Sequence, residues 1–135
     1  MGRAIAAVVT AEVLWTGLWL GFTTLARQVF PETIDPEQRL THSGALLSYV
    51  VWSAAINVLS GYVCARIRRD DPMKTVWVFA FLQLAIGIGF EASYWNMTPV
   101  WYHLVFLALL VPTTVLGGRL WASRTLVRNP VPSPR

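Results

Sequence analysis

The stretch Val76-Trp77-Val78-Phe79-Ala80-Phe81-Leu82-Gln83-Leu84-Ala85-Ile86-Gly87-Ile88-Gly89-Phe90 decides how this chain is read. Gln83 is its only strongly polar side chain. A helix of a soluble domain keeps a polar face opposite its apolar stripe, and this run has none. With its flanks it covers Thr75–Tyr94. About 20 helical residues, rising about 1.5 Å each, cross a hydrocarbon core of about 30 Å. Three further stretches share this character: Ile5–Ala26 and Gly44–Ala65 before it, Val100–Trp121 after it. The sequence therefore predicts an all-α integral membrane bundle of four transmembrane helices, a single domain over residues 1–128. The tail over 129–135, Asn-Pro-Val-Pro-Ser-Pro-Arg, is too rich in proline to continue a helix and is expected to be disordered.

Composition points the same way. Hydrophobic residues make up 55% of the chain and charged residues 13%, against about 25% charged in a soluble domain. Almost nothing remains outside the membrane to hold a substrate, so a non-enzymatic role is expected. The net charge of +4 would suggest nucleic acid in a soluble protein, but its placement points to lipid. Arg3, Arg66, Arg68, Arg69, Lys74, Arg119, Arg124, Arg128 and Arg135, nine of the eleven basic residues, fall on one side of the spans. Arg27 and Arg39 fall on the other, beside Glu32, Asp35 and Glu37. The positive-inside rule then places both termini and the loop Arg66–Met73 in the cytoplasm. Anionic headgroups of the bilayer are the natural neighbours of these arginines, and no nucleic acid is expected. Glu12 interrupts the first apolar run and Thr24-Leu25-Ala26 is a poor cleavage site, so span one is read as an anchor and not as a removed signal. Cys64 is the only cysteine, which excludes an intrachain disulfide and a cysteine metal pair.

The connections are short except the first. Arg27–Thr41 is acidic and interrupted by Pro31 and Pro36. Asp71-Pro72 marks a turn and an N-cap for the next helix. Tyr94, Trp95, Trp101 and Tyr102 on one side, and Tyr62, Trp77 and Trp121 on the other, read as interfacial belts. A faint repeat is present. Val58-Leu59-Ser60-Gly61 leads to Arg66 and Pro72, and Val115-Leu116-Gly117-Gly118 leads to Arg124 and Pro130. Both copies end the second helix of a hairpin that starts in the cytoplasm, so the repeat is parallel.

The second half also carries a resemblance. Ser60-Gly61-Tyr62-Val63-Cys64-Ala65-Arg66, Pro99-Val100-Trp101-Tyr102-His103, Pro112 and Leu116-Gly117-Gly118-Arg119-Leu120 follow one another across roughly residues 55–122. This resembles a group of small bacterial inner-membrane proteins with four helices, which read Gly-Gly-Tyr-x-Ala-Ala at the end of helix two and Pro…Gly-Gly-x-Leu in helix four. Ser60 stands where the group has its first glycine. The resemblance implies the four-helix layout and a multi-pass place in the bacterial inner (plasma) membrane. It implies no activity.

Glu12 is the sharpest single residue, because a carboxylate inside a span is costly and marks function by default. It lies nine residues from Arg3, as Asn57 does from Arg66 and Gln83 from Lys74. Each is thus about 13 Å beyond its basic marker. Thr113 and Thr114, behind Pro112, fall in a similar layer. Glu12 bonded to Asn57 or Gln83 would be glue between helices; the alternative is a proton or ion site. Near the outer ends stand His42, Glu91 and His103, candidate ligands from three helices without a short ligand spacing. No metal and no cofactor is predicted from them. Small residues at helix-contact spacing are plentiful: Gly17 and Gly21 in span one, Gly61 in span two, Gly117 and Gly118 in span four. Gly17 sits about 140° round the helix from Glu12, so one face can pack inside the bundle while the other meets a neighbour. The expected function is an accessory, structural or assembly subunit acting through helix contacts, as a homo-oligomer or within a larger membrane complex. The alternative is a small homo-oligomeric proton- or ion-coupled transporter or channel built on Glu12. A third class, an enzyme acting on lipids or quinones, requires His42, Glu91 and His103 to converge.

Overall fold

The computed structural model describes residues 2–31 and 39–128. The acidic residues Glu32, Asp35 and Glu37 and the tail 129–135 lie outside the described residues. Four helices carry the fold: α1 (Gly2–Val29), α2 (Ser43–Ile67), α3 (Pro72–Ser93) and α4 (Val100–Arg128). All four are long and apolar enough to cross a membrane. No strand occurs among the described residues.

The helices begin earlier or end later than the apolar runs, because local backbone chemistry, and not hydropathy, ends a helix. His42 caps α2: its Nδ1 accepts from the Ala45 amide at 3.2 Å. Pro72 opens α3 at a position where its missing N–H costs nothing. Asp71 departs from expectation. It stands at the N-cap position, but in a left-handed conformation (φ 52°, ψ 58°), and its side chain makes no capping hydrogen bond. A capping aspartate holds an extended backbone so that its oxygen reaches back over the first turn; the tight turn from α2 denies it that geometry.

Pro112 lies inside α4, which continues beyond it to Arg128. Thr113 donates to the Leu109 carbonyl at 2.5 Å within the same crowded turn. Thr114 instead reaches across to α3.

Helix α2 is central and packs against the other three, most extensively against α4. The up-and-down order makes α2 and α4 parallel. The two ends of the bundle are filled differently. Around Leu40 and the connection 94–99 the core is bulky: Trp19, Leu46, Tyr49, Val50, Tyr102 and Phe106 interlock. Trp19 stacks on Trp15 with centroids 5.6 Å apart. Around the turn between α2 and α3 the core is narrow, with Ala7, Ala11, Cys64 and Ala65 against Val76 and Phe79. A backbone bond from Leu40 N–H to Met97 C=O, 3.0 Å, ties the approach to α2 to the α3–α4 connection at the bulky end.

Candidate functional site: a polar chain beside a glycine seam

At mid-depth one side chain from each helix enters a single hydrogen-bonded chain. Trp15 Nε1–H of α1 donates to Asn57 Oδ1 of α2 at 2.6 Å. Gln83 Nε2–H of α3 donates to the same oxygen at 3.2 Å. Thr114 Oγ1–H of α4 donates to Gln83 Oε1 at 3.2 Å. Asn57 and Thr114 are fully buried and Gln83 nearly so. The expected layer therefore brings Asn57, Gln83 and Thr114 together and leaves Thr113 aside, bonded to its own helix.

Glu12 is not a link in this chain. It is half-buried, with the Thr16 hydroxyl of its own helix as hydrogen-bond partner. Its Oε2 is buried without a partner, as are Asn57 Nδ2, Ser53 Oγ and Ser60 Oγ. Trp15 takes the place in α1 that the depth argument gave to Glu12. The two residues are one turn apart on neighbouring parts of one face, and the indole reaches farther. The signal was present in sequence: Trp15, Trp19 and Phe22 stand at helical spacing, and an indole N–H buried in an apolar span needs an acceptor.

Beside this chain α2 and α4 touch backbone to backbone. A β-carbon on Gly61 would overlap the Thr114 carbonyl, and one on Gly117 would overlap the Val58 carbonyl. One on Gly118 would press on the Val76 side chain. The two copies of the faint repeat thus face each other, each offering a glycine to the other helix's carbonyl. Such Cα–H···O contacts contribute about 0.5–1 kcal/mol each. Gly17 and Gly21 behave differently. Both are exposed, and nothing lies within 4 Å of where their β-carbons would be.

The outer set divides. Glu91 and His103 meet: the His103 Nδ1 and Glu91 Oε2 are hydrogen-bonded, both side chains buried. His103 Nε2 faces the Thr98 hydroxyl at 2.9 Å and the carbonyls of Trp95 and Thr98 at 3.2 and 3.3 Å. Trp95 covers the ring, stacked at 4.6 Å. Two carbonyls can only accept, so the surroundings of Nε2 suit the tautomer that carries its proton there. His42 stays apart, exposed at the start of α2. No group of three metal-ligating side chains occurs among the described residues. Tyr102, read as part of a belt, is buried in the core, and Trp95 is a lid on His103.

Comparison with protein-family models, with curated proteins and with solved structures gives no match.

Proposed function

We propose that this chain is a non-enzymatic accessory or assembly subunit of the bacterial inner membrane, with both termini cytoplasmic, acting through helix contacts with a second copy or a larger complex. The observation that carries this reading is the contrast within the small-residue pattern. The seam glycines are consumed inside the bundle, whereas Gly17 and Gly21 present open backbone on the helix with the fewest buried residues. In lipid, small residues let helix backbones approach closely enough for packing to hold them together. The polar chain supports the same reading, since its members bond to one another and hold helices together. Native mass spectrometry after gentle extraction from native membranes tests it. Recovery of a homo-oligomer or of other subunits is expected, and Gly17→Leu or Gly21→Leu is expected to abolish that association. Association that survives both changes refutes this interface.

A second reading is favoured by one observation, the buried and unpartnered Oε2 of Glu12. As a proton or ion carrier in a small homo-oligomeric transporter, Glu12 would make a coupled flux in proteoliposomes that Glu12→Gln abolishes. Flux unchanged in that variant removes the reading.

A further inference from the structure

The narrow end of the bundle is not closed between α1 and α3. A groove of about 440 Å³ opens there. Its walls include Ile5, Val8 and Val78, and its rim carries Arg68, Asp71 and Lys74. The walls are wet or lipid-covered surface, not core: Ile5 is 64% and Val78 56% exposed. The rim has an excess of positive charge, two cations to one carboxylate. Neither Arg68 nor Lys74 makes an ion pair with another described residue. Arg68 Nε is moreover buried without a hydrogen-bond partner. A guanidinium nitrogen withdrawn from water at the mouth of an apolar groove calls for an oxyanion. The side chain of Asp71 leaves the first-turn amides of α3 uncapped at the same rim.

The dimensions select the occupant. The α1 wall runs from Ala4 to Val9, about 8 Å of helix. That is too short a seat for a helix about 10 Å wide, and about half of one leaflet's hydrocarbon depth. We propose that this groove holds one anionic phospholipid, its phosphate between Arg68 and Lys74 and the upper part of an acyl chain along Ile5, Val8 and Val78. The inference rests on the membrane reading of the four helices and is independent of the association face on α1.

The test uses the full chain purified in mild detergent. It is offered phosphatidylglycerol and phosphatidylcholine of matched chain length, and retained lipid is counted by native mass spectrometry. One phosphatidylglycerol is expected to be retained in preference. Arg68→Gln with Lys74→Gln is expected to reduce that preference roughly thirty-fold. Arg66→Gln with Arg69→Gln, at exposed basic residues of the same end outside the groove, is expected to leave it unchanged. Val8→Trp, which fills the groove, is expected to lower retention of both lipids. Equal retention of the two lipids by the unaltered chain overturns the proposal. So does an equal loss from both arginine-containing pairs, which would mean diffuse surface charge, and so does displacement of the lipid by excess inorganic phosphate. Should the double variant fail to fold, Lys74→Gln alone, at an exposed side chain, is expected to give about a fivefold loss, and no loss overturns the proposal. Because the readout is lipid retention by the isolated chain, failure here leaves association through Gly17 and Gly21 to be judged separately.

Discussion

Two glycine pairs look alike in this sequence and do opposite things in the fold. Gly61 and Gly117 bring α2 and α4 so close that neither tolerates a β-carbon, whereas Gly17 and Gly21 look out from α1 into open space. A small residue is permissive: it allows approach without compelling it. What distinguishes the seam is its surroundings. Asn57 and Thr114 stand beside it and are joined through Gln83, so polar bonds fix the register at which the glycines meet. Around Gly17 and Gly21 the open α1 surface is Val13, Leu20 and Leu25, each more than half exposed, while the bonds of this stretch to α2, Trp15 to Asn57 and Trp52 to the Leu18 carbonyl, are made by other positions of the helix.

The contrast can be broken in order of expected effect. Gly117→Leu, or Gly61→Leu, forces backbones apart along the most extensive interface, and a loss of about 3 kcal/mol or more is expected. Unfolding in mixed detergent micelles, followed by tryptophan fluorescence, measures it; a stable Gly117→Leu chain would mean the seam is not the framework. Gly61→Ala is the gentler version, expected to cost about 1–3 kcal/mol, because a single methyl already meets the Thr114 carbonyl. Cutting the polar chain comes next. Trp15→Phe keeps the ring and removes the N–H to Asn57, and about 0.6 kcal/mol is expected, with about 1.7 as an upper bound. Gln83→Leu removes two links at once and is expected to cost more than Trp15→Phe in the same assay. The smallest effect on folding belongs to Gly17→Leu and Gly21→Leu, within about 0.5 kcal/mol of the unaltered chain. A large destabilisation by either would place that face inside the bundle and erase the contrast.

Four apolar runs without a polar face left no alternative to four long helices, because run length alone carries that information. Depth was also legible: counting from Arg3, Arg66 and Lys74 brought Asn57 and Gln83 to one layer, where they bond. Rotation about the helix axis was not. Nothing in a nearly all-apolar helix says which side faces inward, so Glu12 was expected where Trp15 stands, and Gly17 could not be told from Gly61. Glu91 and His103 were visible as residues of similar depth, but their pairing depends on the connection 94–99, which folds Thr98 and Trp95 around the imidazole. His42 has a comparable place in the sequence and was drawn off by its own helix end, where its ring is used as a cap.

The parallel pairing of α2 with α4 has a consequence in time. Gly61 must await Gly117, which lies 56 residues farther along the chain. At ribosomal speeds of about 5–20 residues per second, that wait lasts roughly 3–11 s. For that interval the glycine groove of α2 is finished and vacant. Its natural competitor is the corresponding groove of a neighbouring nascent copy, since the two halves of the seam share a motif.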